Sequence, residues 1–163
     1  MDILVANPAD IISLTQVEIQ TKLDSIPQLL DAQAVDPDHR LRRWQTYFAG
    51  LSPASSKPPR VVYKAIVRTE LVGYISGHLT TRFGLDAEIQ SFYVLKSFQR
   101  QGIGRALCKH FVLWLLEQQA RSLCVGIEAE NPYRSFYLKY GGRYLNPHWI
   151  YWDNLPSILT QLA

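Results

Sequence analysis

Gln99-Arg100-Gln101-Gly102-Ile103-Gly104-Arg105-Ala106-Leu107 decides the reading of this 163-residue chain. It follows residues 87–94, which are rich in aromatic and β-branched side chains and read as a strand. It leads into an apolar stripe of Ile103, Leu107, Phe111, Trp114 and Leu115, which predicts a helix over residues 104–120. A strand, a glycine turn and a long helix can together bind an anion. The first amides of a helix have no acceptor within it. Glycines let a ligand approach the backbone without meeting a Cβ. The helix dipole adds about 0.3–1 kcal/mol per nearby negative charge. Arg100 and Arg105 can add charge-assisted hydrogen bonds. The same two glycines also suit a turn that only eases helix–strand packing, and the turn alone does not choose between the two.

Two widespread phosphate motifs do not fit. A Walker A loop ends in Gly-Lys-Ser/Thr, whereas Gly104-Arg105-Ala106 has neither the lysine nor the hydroxyl. A dinucleotide fingerprint needs Gly or Ala at its third place. Gly102-Ile103-Gly104-Arg105-Ala106-Leu107 has Leu107 there, although Glu128 lies near the distance for a ribose contact. Too little chain follows for a doubly wound sheet, and the strands before the turn read as antiparallel.

Upstream, residues 60–67 and 71–78 form two strands around Arg68-Thr69-Glu70. Residues 80–86 are a loop. Residues 8–50 are mostly helical, with Asp36 as N-cap and Pro37 in the first turn of a second helix. Leu41, Trp44, Tyr47 and Phe48 share one face of it. The stretch from Gly50 to Pro58-Pro59 reads as a loop. Downstream, residues 123–129 are a strand, and Asn131-Pro132 opens a short helix that Gly141-Gly142 ends. Residues 143–144 and 148–152 supply the last strands. The order predicts an α+β fold, a mixed α/β sandwich around one mostly antiparallel sheet. One domain spans 1–163, with a helical region over 8–50 and a core over 60–152.

The net charge of +3 is mild. Arg40, Arg42 and Arg43 do not form one clean helix face. No aromatic-basic interleaving of the single-strand-binding kind stands out, so nucleic acid is not the expected partner. No apolar run of about 18 residues spans a membrane. The start, Met1-Asp2-Ile3-Leu4-Val5-Ala6-Asn7-Pro8, has neither the basic flank nor the apolar core of a signal peptide. Cys108 and Cys124 cannot build a disulfide framework or a four-ligand zinc site, and no metal is expected. They read as reduced packing thiols of a cytoplasmic protein.

Three segments together resemble the GNAT (Gcn5-related N-acetyltransferase) superfamily. The run from Gln99 to Leu107 is similar to its acyl-CoA signature, Gln/Arg-x-x-Gly-x-Gly/Ala. Phe92-Tyr93-Val94 resembles the family strand that precedes it. Asn131-Pro132-Tyr133-Arg134-Ser135-Phe136-Tyr137-Leu138-Lys139-Tyr140-Gly141-Gly142 resembles the family's Asn-x-x-Ala-x-x-x-Tyr helix. Here six residues separate Asn131 from Tyr137, where the commoner pattern has seven. The helix ends in Gly141-Gly142-Arg143 in place of Leu-Gly-Phe, like one subgroup of the superfamily.

The resemblance implies a GNAT-like fold with the sheet splayed at the cofactor, and transfer of an acetyl group from acetyl-CoA to a primary amine by direct attack. Backbone groups of Phe92, Tyr93 and Val94 would pair with the pantetheine arm. Amides of Arg100, Gln101, Gly102, Ile103, Gly104 and Arg105 would hold the pyrophosphate, and Asn131 would add a cofactor contact. The Val94 amide would polarise the thioester carbonyl. Tyr137 would be the general acid for the leaving thiolate. From pKa values near 10 and 8.5, that transfer is uphill by roughly 2 kcal/mol. The amine must also lose a proton, at about 4.6 kcal/mol for a lysine-like amine at pH 7. Glu88 is the expected base, and strand alternation would put Glu88, Gln90, Phe92 and Val94 on one face. Glu128, Glu130, His78 and His148 are the other candidates. Trp44, Tyr47, Phe83, His148, Trp149 and Tyr151 would wall the acceptor pocket, with Asp86 to hold a cationic acceptor. The partner would be a small-molecule or peptide amine, and the family often forms homodimers. A non-catalytic acyl-CoA-binding regulatory module is the second reading.

Overall fold

Side-chain caps and apolar spacing set the helices that cover the sheet. In the computed structural model, which describes residues 1–163, β1 (Asp2–Val5) precedes helices α1 (Ile11–Ser25) and α2 (Pro37–Phe48). The Asp36 carboxylate accepts from the Asp38 amide and caps α2, a type of bond worth about 1 kcal/mol. Strands β2 (Ser56–Val67), β3 (Glu70–Thr80) and β4 (Ala87–Val94) follow, then α3 (Ile103–Glu117) and β5 (Leu123–Gly126). The chain closes with α4 (Arg134–Lys139), β6 (Arg143–Asn146), β7 (Trp149–Trp152) and α5 (Leu155–Leu162). The seven strands form one sheet in the order β1-β2-β3-β4-β5-β7-β6. Only β4 and β5 pair in parallel. The expected α+β architecture is the one observed.

The sheet is covered on both faces. On one, α3 and α5 close the main core, with Leu107, Phe111, Leu115, Leu155 and Ile158 buried against Ile75, Ile89 and Ile150. On the other, Leu14 and Val17 of α1 and Trp44 and Tyr47 of α2 bury Val62 and Tyr74. Each such side chain, fully buried, stabilises the fold by about 1.5–3 kcal/mol.

Three stretches differ from the sequence reading. Residues 2–5, read only for a targeting signal, form β1, antiparallel to β2. Residues 56–59, expected in a loop, belong to β2. Pro58 and Pro59 have no amide to donate, and the ladder slips there, between Lys57 and Arg60. Residues 155–162, outside the elements read from the sequence, form α5. Its signals are ordinary: Asn154 accepts from the Ser157 amide, Pro156 stands in the first turn, and Leu155, Ile158 and Leu162 share one buried face.

Gly77 of β3 lies between sheet and core. A Cβ built there would come within 2.2 Å of the Phe111 ring and 2.5 Å of the Glu88 carbonyl. Nothing backbone-bound can yield that much, so Gly77→Ala should cost about 2–3 kcal/mol, measured as a lower midpoint in urea unfolding.

Candidate active site

The site begins where two strands part. β4 and β5 pair at Ala87–Leu123, Glu88–Cys124 and Ile89–Val125, and not beyond. At the same level β4 carries a bulge, because Gly77 faces Ile89 while Ser76 faces Ser91, leaving Gln90 as the extra residue. Past the bulge, β4 stays with β3. The Leu95 amide donates to the Val72 carbonyl, and the Ser91 carbonyl accepts from Ser76 Oγ at 3.4 Å. Main-chain groups alternate sides along a strand. Those of Ser91, Tyr93 and Leu95 therefore face β3, and those of Phe92 and Val94 face the gap. Of the three residues expected to pair with a pantetheine arm, Tyr93 does not offer its backbone.

The bulge also resets the side chains. Ala87 and Ile89 point into the α3 core before it, and Phe92 and Val94 do so after it. Glu88 consequently lies on the opposite face from Phe92 and Val94, with His78 and Thr80. The expected shared face for these residues does not exist, because one inserted residue inverts the alternation.

The glycine turn closes one end of the gap. Gly102 has φ +84° and Arg100 φ +64°, a backbone that favours glycine at the first position and costs energy at the second. The amides of residues 100–105 meet no acceptor, and the first helical bond runs from Ala106 to the Gly102 carbonyl. A Cβ on Gly102 would meet nothing within 4 Å, and one on Gly104 would touch Phe92 and Phe136 at an ordinary 3.6 Å. Side-chain crowding therefore requires neither glycine, although the left-handed backbone at Gly102 favours one there. Their effect is open space before a row of free amides. The Arg105 side chain is used elsewhere: its Nε donates to the Leu162 carbonyl at 2.6 Å. Only its amide faces the turn, and Arg100 remains the exposed cation there.

Helix α4 brings Tyr137 to the other side. Tyr137 is buried, 5.9 Å from Trp152 and 6.5 Å from Phe92 between ring centroids. Burial, helped by neighbouring Cys108 and Tyr93, holds its phenol well above the usual value near 10. The hydroxyl is thus fully protonated at neutral pH. Asn131 spends its side-chain carbonyl on the Tyr133 amide at 2.9 Å, closing the turn before α4. Gln99, quoted in the signature but not expected in the site, spans the gap. Its Nε2 donates to the Val94 carbonyl (2.9 Å) and its Oε1 accepts from Tyr133 Oη (3.1 Å).

Glu88 is fixed rather than free. Its Oε2 accepts from Arg82 Nε (3.1 Å) and Thr80 Oγ1 (3.3 Å), and lies 3.6 Å from His78 Nε2. The other His78 nitrogen, Nδ1, is 3.0 Å from Tyr47 Oη. Burial works to raise the Glu88 pKa, but His78 and Arg82 outweigh it and leave it below its usual value. Asp86 accepts from the Arg121 and Ser122 amides through Oδ2. His148 is exposed in the β6–β7 turn, where its amide donates to Asn146. Glu128 and Glu130 are exposed. Burial pushes both cysteine thiols up to about 12, as packing residues require. Of the expected aromatic wall, Trp44 and Tyr47 line a cleft beside Tyr93. Phe83 packs on Trp149 instead, and Tyr151 lies under Arg143.

A mixed sheet opened beside a free-amide turn is the arrangement of an acetyl-group transferase. Residues 23–141 match the acetyltransferase (GNAT) family; the chain belongs to that family and is an N-acetyltransferase. Its fold is similar to that of an acetyltransferase from Thermus thermophilus, at 21% identity and TM-score 0.72 over 92% of this chain and 93% of that one. It is also similar to PaiA N-acetyltransferase from Thermoplasma acidophilum in complex with coenzyme A, at 14% identity and TM-score 0.70 over 93% and 98%. Aminoglycoside 6′-acetyltransferase type Ii matches at 17% identity and TM-score 0.66 over 94% and 97%. No curated protein matches the chain in sequence. No helix is long and apolar enough to cross a membrane.

The Glu88 pKa is lowered in the folded protein, so its stabilising contribution is complete above its unfolded value near 4.5. It is lost as pH falls through the folded value. Acid unfolding of Glu88→Gln, followed by circular dichroism, should show a flatter decline below pH 4.5 than the wild type.

Proposed function

We propose that this enzyme transfers the acetyl group of acetyl-CoA to a primary amine by direct attack within the β4–β5 gap. The observation that carries this reading is the row of free amides at residues 100–105, which opens onto the gap at Phe92 and Val94. That row fits a pyrophosphate, and the strand edge fits an extended amide-bearing arm. Acetyl-CoA supplies the activated thioester, and the chain's own groups do the rest.

Phe92 and the Val94 amide align the arm, and the Val94 amide polarises the thioester carbonyl. Gln99 already holds the Val94 carbonyl, so the arm draws on the Phe92 groups and the Val94 amide. Arg100, Gln101, Gly102, Ile103, Gly104 and Arg105 hold the pyrophosphate by their amides. Asn131 shapes the turn that presents α4, so its contribution to the cofactor is indirect. The neutral amine attacks the thioester carbon and the C–S bond breaks; Tyr137 gives its proton to the departing thiolate, and the proton that the nitrogen loses returns through water to the Tyr137 oxygen. Its raised pKa ensures the proton is present but makes the transfer more uphill than for an ordinary tyrosine, so close placement must compensate.

Glu88, below its usual pKa and bonded by Arg82, is a weak proton acceptor. We assign it a positioning role, through His78, on Tyr47 at the acceptor cleft. The Gly141-Gly142-Arg143 ending resembles one subgroup of the family, and Gly142 has a packing reason, since a Cβ there would lie 2.7 Å from Ile150 and 2.9 Å from the Tyr137 carbonyl. The two buried, free thiols fit a cytoplasmic enzyme.

Calorimetry with acetyl-CoA tests the cofactor site. Wild type should bind with micromolar affinity, and Gly102→Trp, which fills the space before the amides, should bind at least about tenfold more weakly. No binding by folded wild type overturns the proposal. In an amine screen, Tyr137→Phe should lower kcat by about 100-fold with little change in acetyl-CoA affinity, whereas Glu88→Gln should lower it less. Binding without turnover of any amine would favour the non-catalytic module.

A further inference from the structure

On the α1–α2 face, beside Tyr93, lies a polar cleft of about 90 Å³ whose walls include Glu18, Arg40, Arg43, Trp44 and Gln90. Its floor is an ionic cluster. Glu18, with 1% exposure, accepts from Lys22 and from Arg40 Nη2 (2.7 Å) on Oε2, and from Tyr74 Oη (3.3 Å) on Oε1. Lys22 also donates to the Ala34 carbonyl. Donors thus occupy both oxygens of the carboxylate. Two donors remain unused: Arg40 Nε and the Trp44 indole Nε1 are buried without an acceptor. Arg43, one helical turn on from Arg40, is exposed and pairs with no carboxylate. Arg60 packs 4.6 Å from the Tyr47 ring outside the cleft lining, and its guanidinium is spent on the Tyr47 and Ser52 carbonyls.

The charge balance decides what the cleft can take. Two arginines, Arg40 and Arg43, line the cleft with one carboxylate, Glu18, and Lys22 adds a third cation on that same carboxylate. Asp31 acts on Lys22 but is exposed, and Glu88 is matched by its own Arg82 behind His78 and Tyr47. A protonated amine entering here meets surplus positive charge and no free carboxylate. That surplus favours the neutral amine, the form that attacks a thioester. It also repels a simple cationic amine, so the acceptor needs an anion of its own to be held.

We propose that the acceptor amine also carries a carboxylate or phosphate, bound by Arg43 at this cleft against the Arg40–Glu18 cluster. This rests on the reading that the enzyme acetylates an amine. Arg43 is then a specificity-determining residue, and polyamines are poor acceptors.

The test compares kcat/KM, at saturating acetyl-CoA, for ω-amino acids of three to six carbons, the matched amino-alkyl phosphates, the amino alcohols and the diamines. The acids or phosphates should exceed the alcohols by about tenfold or more, as a charge-assisted bond allows, with the diamines lowest. The better of the two anions identifies the group. Arg43→Ala should shrink the acid-to-alcohol ratio at least about fivefold, mainly through KM, and Arg43→Glu should turn it toward the diamines. Equal rates, a diamine preference in the wild type, or a ratio unmoved by Arg43→Glu overturns the proposal.

A second arm needs no turnover. Succinate and inorganic phosphate are titrated while the Trp44 indole NMR signal, assigned with Trp44→Phe, is followed. A saturable shift lost in Arg43→Ala supports the site, and no shift for either anion overturns it. Failure of the acetyltransferase reading looks different, since wild type would then not bind acetyl-CoA at all.

Discussion

The parting of β4 from β5 after Ile89 and Val125 is the constraint on which the site depends. A parallel pair that continued would satisfy the Phe92 and Val94 main-chain groups within the sheet and leave no gap. The extra residue at Gln90 keeps β4 bonded to β3 while β5 turns toward β7. It also sends Glu88 and Phe92 to opposite faces. A single unpaired residue thus separates the acceptor chemistry on the α1–α2 side from the apolar wall that receives Tyr137. Strands exposed in this way usually invite aggregation. Here Gln99 occupies part of the exposed edge, bonded to the Val94 carbonyl and to Tyr133.

The two sides of the sheet are electrostatically unlike. Around Tyr137 the neighbours are rings, and burial raises the phenol pKa. Around Glu18 and Glu88 every carboxylate oxygen that carries the network is met by a cation or hydroxyl. Buried ion clusters of this kind contribute little net stability, because desolvation offsets attraction. Their effect here is to hold polar side chains in fixed positions beside the sheet. The proposed proton donor therefore sits in an apolar wall and the proposed acceptor cleft in a polar one, with only β4 between them.

Much of this was legible in the residues. The strand at 87–94, the helix after Gly102-Ile103-Gly104 and the cap at Asp36-Pro37 follow from local chemistry, and all three are in place. The glycine turn was legible as a candidate anion site beside a packing alternative, and the open space around Gly102 and Gly104 shows that crowding is not the reason for the pair. Most of what escaped depends on pairing between distant segments. The bulge at Gln90 does leave a local mark, since apolar Ala87 and Ile89 give way across Gln90-Ser91 to Phe92 and Val94, a change of phase that a simple alternation over 87–94 passes over. Arg105 reads as a phosphate ligand until Leu162 is seen beside it. Arg40 and Arg43 read only as part of a basic stretch without one clean face, and Glu18 carries no signal at all, because nothing local places α1 against α2 over Tyr93. The α5 signals, Asn154 and the Leu155–Ile158–Leu162 spacing, were present in the sequence and simply unread.

The bond from Arg105 to the Leu162 carbonyl carries a consequence for how the enzyme comes into being. The first turn of α3, which presents the free amides, is braced by the last helix of the fold. A chain emerging from the ribosome has made its glycine turn long before it has made residues 155–162. Until those residues emerge and dock, Arg105 lacks this partner and the α3 core lacks Leu155, Ile158 and Leu162. Assembly of the site is therefore tied to the emergence of residues 155–162, and a product cut short before them would lack the brace on the glycine turn.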